Sequence, residues 1–306
     1  MINSSIPGKL ILITLSAFLV ESCGNNNEST AEEKVVTVSD TGAAANKTKK
    51  EESAVQKVFY ALPSPIETAD LLKKAGATYN KDYLNSIDNF TKYNSNGSKA
   101  MNLGVYGTDL SFTTIFDVSS ESLLYLKRVN GLASGLGIAD AFGEGTMNRM
   151  QSNSNNRDSL LAIISDAYWT ADAFLQENQR PATSALIVTG GWVEGLYLAT
   201  RIAKSKPNDE INQRIAEQKL SLDNLLGLLK DQKSDADVAA LMDDLQTLKV
   251  LFLRIKTSEG ESTANTDDKT KVTTIGGGTK FEVTQEEIEA ITRKVDLIRT
   301  KMVNKS

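Results

Sequence analysis

The sequence predicts an all-α fold, either a multi-helix bundle or an array of helical hairpins, and three observations predict it. Apolar residues recur at steps of three and four over most of the chain after Ile66, whereas strand-like alternation is rare. Two capping boxes open stretches with that periodicity. Only five prolines occur, and three of them, Pro63, Pro65 and Pro181, stand at segment boundaries where they cannot break a helix.

The elements follow in chain order. Ser64 is placed as an N-cap, Pro65 at the first helical position and Glu67 where it completes a capping box, with Gly76 as the stop. Leu123, Leu124, Leu126, Val129 and Leu132 predict a helix over Ser120 to Gly135. Phe142 to Ser159, rich in glycine and asparagine, reads as a solvated connection whose spacing fits no calcium loop. Ser159 to Leu175 carries a wide apolar face that includes Leu160, Ile163, Ile164, Ala167, Tyr168 and Ala171. Asp209 to Leu229 repeats the pattern, and Asp235 to Lys256 shows it more cleanly through Val238, Leu241, Leu245, Leu248, Phe252 and Ile255. Over Thr257 to Val283 the chain turns polar, then offers "KVTTI", three glycines and "TKFEV", a small hairpin near 271–283 closed by the glycines. Those glycines match neither a P-loop nor a dinucleotide-binding spacing. Thr284 and Glu287 open the last helix, whose apolar stripe runs Ile288, Ile291, Val295, Ile298, Met302.

Two further helices stand apart. "AMNLGVYGTDLSFTTIF" from Ala100 and "ALIVTGGWVEGLYLATR" from Ala185 align at an offset of 85 residues, which sets Asp109 against Glu194 and Phe112 against Tyr197. Each carries one acid on a surface of apolar and small residues. Gly104, Gly107, Gly190, Gly191 and Gly195 lower helix propensity, and helices offset that loss by close backbone approach, so both belong at the centre of a bundle.

Composition narrows the chemistry. Histidine is absent, which removes imidazole-based triads and histidine-containing zinc sites from this chain, and no cofactor or metal is expected. With 34 Lys and Arg against 39 Asp and Glu, the net charge of -5 provides no basic field for a phosphate backbone, so no nucleic-acid partner is expected. At the N-terminus, Lys9 precedes an apolar run from Leu10 to Val20 that is too short to span a bilayer and suits the core of a signal peptide. The run ends at Val20-Glu21-Ser22-Cys23, and Cys23 is the only cysteine. This resembles a bacterial lipobox. The resemblance implies diacylation of Cys23, loss of residues 1–22, and, because Gly24 is not aspartate, sorting to the outer membrane. Residues 24–53 lack aromatics and sustained periodicity, which predicts a disordered tether with a reach of roughly 30 Å. The chain thus divides into a signal peptide (1–22), a lipidated cysteine and tether (23–53), a helical domain (54–256), a flexible linker or hairpin (257–283) and a C-terminal helix (284–306).

Pro63-Ser64-Pro65-Ile66-Glu67-Thr68-Ala69 and Asn102-Leu103-Gly104-Val105-Tyr106-Gly107-Thr108-Asp109-Leu110 resemble a group of uncharacterised Bacteroidota lipoproteins. The resemblance spans Phe59 to Leu229, implies a place in the bacterial envelope, and supplies no catalytic residues.

Asp109 and Glu194 are the candidate site residues, with three readings. They are structural acids satisfying buried hydroxyls, helix N-termini or a cation such as Arg201; or a general acid and base; or polar contacts in a cleft for a peptide or small ligand. Asp140, Asp166 and Asp172 share those readings, while Tyr168, Trp169, Trp192 and Tyr197 read as core. The favoured expectation is a lipid-anchored helical binding or structural module whose partners are the membrane and an envelope protein or peptide. The alternative is a carboxylate-dependent envelope hydrolase.

Overall fold

A computed structural model of the chain describes residues 65–74, 76–139, 144–153, 156–259, 263–267, 272–276 and 279–306. The expectations for the signal peptide, Cys23, the tether, Ser64 and Asp140 lie outside these residues. Among the described residues nine α-helices occur: α1 (Pro65–Lys74), α2 (Asn96–Ile115), α3 (Ser119–Gly135), α4 (Glu144–Ser152), α5 (Arg157–Glu177), α6 (Pro181–Ser205), α7 (Asp209–Lys230), α8 (Ala236–Phe252) and α9 (Gln285–Val303). Two 3₁₀ turns, Lys81–Tyr83 and Ile87–Lys92, connect α1 to α2. The all-α class holds.

Local chemistry sets most of the boundaries. Ser95, Asn156, Asn208, Asp235 and Thr284 each accept a first-turn N–H through the side chain, and Thr284 and Glu287 form the reciprocal capping box that opens α9. Beyond α1, Gly76 adopts φ +82° and its N–H donates to Lys73 O, while the Ala77 N–H donates to Leu72 O; this left-handed stop favours glycine. Asp117 (φ 60°) and Gln179 (φ 55°) make equally abrupt reversals between α2 and α3 and between α5 and α6.

At the centre lie α2 and α6. Every residue of α2 from Gly97 to Ile115 is buried except Lys99, and from Ser184 to Ala203 in α6 only Arg201 is not. A helix that is apolar or small all round must be surrounded, and these two are. They run parallel. Lys73 reaches the last turn of α2 at Ile115 O, and Lys206, just past α6, donates to Gly76 O at 2.9 Å, so both C-terminal ends meet the same end of α1. Gly104 lies directly against the main chain of Ile187, Gly190 and Gly191, and Gly190 against that of Met101, with no room for a Cβ at either position. Thr108 Oγ1 bridges the contact by donating to Gly104 O and Gly191 O, each at 3.1 Å. The 85-residue offset of the two sequences is therefore close to their register in space. Gly107 packs instead on the Tyr168 side chain of α5, and a Cβ at Gly195 would meet nothing within 4 Å.

Three expectations need correction. Helix α8 ends at Phe252 and the chain is in a strand by Lys256, although Ile255, at 1% exposure, still lands in the core. The stripe continues through the turn, which is why periodicity overran the end. Part of the connection before α5 is the short helix α4, held by the burial of Met150 despite weak local propensity. The hairpin is also different from the one expected. β1 (Lys256–Glu259) pairs antiparallel with β4 (Thr279–Glu282), and β2 (Thr263–Asp267) with β3 (Val272–Gly276), so "VTTIG" and "TKFE" are not each other's partners. Their partners are the Ser- and Thr-rich residues just after α8, whose β-branched threonines suit a strand though they show no apolar alternation. Phe281, 2% exposed, anchors β4, and the Gln213 amide of α7 donates to Phe281 O at 2.7 Å.

Candidate functional site

Glu194 sits at mid-length of α6, and Asp109 at the corresponding level of α2; both are 0% exposed. Close backbone packing at Gly104 and Gly190 is what brings these two levels together. The charge of Glu194 bears directly on Asp109. Glu194 also receives two donors of one guanidinium: Arg299 Nε lies 3.0 Å from Oε2 and Arg299 Nη2 lies 3.0 Å from Oε1. This is the bidentate fork by which arginine holds a carboxylate most strongly. Asp109 Oδ2 accepts the Asn85 backbone N–H at 3.1 Å, whereas Oδ1 is buried and has no donor in reach.

The proton count follows. Two carboxyls and one guanidinium share a buried space, and a buried carboxyl oxygen that no donor reaches favours the protonated form. That oxygen belongs to Asp109. Burial holds the Asp109 carboxyl well above the usual carboxylate range, and the negative Glu194 pushes it further, against opposing pulls from Arg299 and the Asn85 N–H. Burial alone would lower Arg299, but the Glu194 carboxylate outweighs it and keeps the guanidinium charged. Burial and charge thus favour a neutral Asp109 beside a carboxylate paired with arginine.

The surrounding groups complete a polar core. Tyr125 donates to Asn85 O at 3.0 Å, the Asn85 amide to Tyr93 Oη at 2.9 Å, Tyr93 to Val303 O at 3.2 Å and Tyr106 to Ser86 O at 2.8 Å. The Tyr197 ring lies under two guanidinium groups, Arg299 at 4.5 Å and Arg201 at 4.8 Å. Arg201 is not the cation of Glu194. It pairs with Asp296 of α9, because seven residues along one helix is a rise of about 10 Å. The true partner comes from another helix, and sequence reasoning missed it. One signal was available: Arg299 stands four residues after Val295 and three before Met302, on the margin of the apolar stripe of α9.

The remaining candidates are dispersed. Asp172 accepts from Ser184 Oγ at 2.7 Å and from the Gln176 amide at 3.1 Å, which ties α5 to α6. Asp166 forms an exposed pair with Arg149 at 3.6 Å. Trp192 is core, its Nε1 donating to Gln218 and Ser221 of α7, and Tyr168 packs on Gly107. A groove of about 360 Å³ between α8 and α9 has Met101, Leu241, Ile298 and Met302 as its floor, with Asp244 and Lys301 among its rim. A depression of about 460 Å³ lies beside Lys204 and the first turns of α9. Neither is lined by Asp109 or Glu194. Among the described residues no three metal-ligating side chains cluster, and no helix is long and apolar enough to cross a membrane.

No family model, no curated protein and no solved structure matches the chain.

Proposed function

We propose that this chain is a lipid-anchored protein of the bacterial envelope whose helical body is a binding or structural module. For the body, one observation carries the reading: the convergent acids are spent on each other and on Arg299 within a sealed core, with 0% exposure at both carboxyls. A general acid and base must touch substrate, and this pair offers no face to one. What the pair does instead is join three helices, α2, α6 and α9, at a single point. For the anchor, support comes from Lys9, the apolar run to Val20, the lone Cys23, and the likeness of two stretches of the body to Bacteroidota lipoproteins. The hydrolase alternative draws on the meeting of two carboxyls and is opposed by their burial.

The anchor is tested by fractionation. Cys23→Ser releases the body from the membrane fraction or leaves an uncleaved precursor; a substituted chain that is processed and partitions like the original refutes attachment through Cys23. The module is tested by crosslinking in native envelopes. A defined protein or peptide partner is expected, recovered equally with Asp109→Asn, whereas a hydrolytic activity abolished by that substitution would establish the alternative.

A further inference from the structure

We propose that the proton on Asp109 latches the C-terminal helix α9 to the body, and that its loss lets α9 lift so that water reaches the acids. With the proton in place, the closed site balances one carboxylate against one guanidinium. Without it, a second negative charge lies in the core beside Glu194, while Arg299 turns Nε and Nη2 to Glu194 and makes no hydrogen bond to Asp109. Among the described residues no other cation makes a hydrogen bond or ion pair with either acid. The groups whose charges bear on Asp109 are Glu194 of α6, Arg299 of α9, and the tyrosines Tyr79, Tyr106, Tyr125 and Tyr168. Tyr93 adjoins them through Asn85. Burial raises all five tyrosines above the usual phenol range, so none supplies charge near neutrality. The excess charge can only be hydrated.

The geometry also selects where the site opens. Helices α2 and α6 are locked main chain to main chain at Gly104 and Gly190. By contrast, α9 is held by side chains: its apolar stripe, Arg299 on Glu194, Arg201 on Asp296, Lys294 and Lys301 on Asp244, and Lys305 on Asp237. Tyr93 and Asn102 add bonds to the carbonyls of Val303 and Met302. Of Asp109, Glu194 and Arg299, only Arg299 touches solvent, its side chain being 13% exposed against 0% for the two acids. Water therefore enters where α9 leaves. Asp244 sets the opposite limit: burial would raise its carboxyl, but Lys301 and Lys294 outweigh that and hold it low, so its grip on α9 fails only as pH falls through that lowered value.

The sign of the effect is fixed by linkage. A carboxyl with a raised folded pKa stabilises the closed form fully below its ordinary value near 4, and that contribution is lost as pH rises through the folded value. Across that window, opening coupled to release of one proton grows by about tenfold per pH unit. Amide hydrogen exchange from about pH 5 to about pH 9, corrected for intrinsic rates, should show the opening constant of α9 rising toward that slope while α2 and α6 stay protected. In Asp109→Asn the slope should vanish. The asparagine amide can accept from Asn85 N–H as the protonated acid does, but has no proton to lose. A flat profile in the original chain, an unchanged slope in Asp109→Asn, or loss of α2 protection together with α9 overturns the proposal. If Asp109→Asn does not fold, the original chain decides by infrared spectroscopy. The carbonyl band of a protonated, buried carboxylic acid must be present while α9 is closed and be gone once α9 has opened; its absence from the closed form, or its persistence in the opened one, overturns the proposal equally.

Discussion

Glu194→Leu lowers the stability of the helical body by about 3–5 kcal/mol, measured by denaturant unfolding. The loss does not come from a missing attraction, since burying two charges costs about as much as their pairing returns. It comes from Arg299, left charged and 13% exposed with the Nε and Nη2 donors that held Glu194 unsatisfied. Removing both charges together should therefore be milder than the single change. In a double-mutant cycle, Glu194→Leu with Arg299→Leu shows a coupling of about 1–3 kcal/mol. Position, not charge, sets this scale: Asp166→Ala, which breaks the exposed pair with Arg149, should change stability by less than about 1 kcal/mol. A neutral or stabilising Glu194→Leu would mean that the acid is kept at the expense of stability, and would revive a direct chemical role for it.

How much of this arrangement was legible in the sequence depends on how local its cause is. The cap at Thr284, the stop at Gly76 and the apolar stripes of α5, α7 and α9 are written within a few residues, and the structure forms α5, α7 and α9 within about two residues of the expected ends. Apolar periodicity has no means of marking where α8 stops, because Ile255 is buried whether or not it is helical. Strand pairing is less legible still. Ala264 opposite Ile275 is a contact across the chain, and nothing in "STANTD" announces which residues it will meet. For the acid pair, half of the story could be read: two glycine-bearing helices each display an acid at the same level. The other half is the arrival of Arg299, 105 residues after Glu194, from a helix that looks like an ordinary amphipathic stripe with charges around it.

The glycines that set the spacing of α2 and α6 provide the second large effect. Gly104→Ala directs a methyl group at the carbonyl oxygen of Ile187, and Gly190→Ala directs one at the carbonyl oxygen of Met101. Both obstacles are main-chain atoms in the middle of long buried helices, so neither can swing aside as the end of a flexible side chain would. The helices themselves must separate. Each substitution should cost at least the upper end of the range of about 1–3 kcal/mol seen for overpacked cores, despite alanine's better helix propensity. Separation also pulls Asp109 from Glu194, so either variant should weaken the hold on the Asp109 proton as well as the packing. The comparison that isolates the cause is Gly195→Ala and Gly227→Ala. Both glycines are helical, and a Cβ at either would meet nothing within 4 Å. These changes should stabilise by about 0.5–1 kcal/mol, although Gly195 is the immediate neighbour of Glu194. Chemical denaturation of the four variants distinguishes contact from mere proximity: a costly Gly195→Ala beside a neutral Gly104→Ala would place the helix interface on the wrong face of α6.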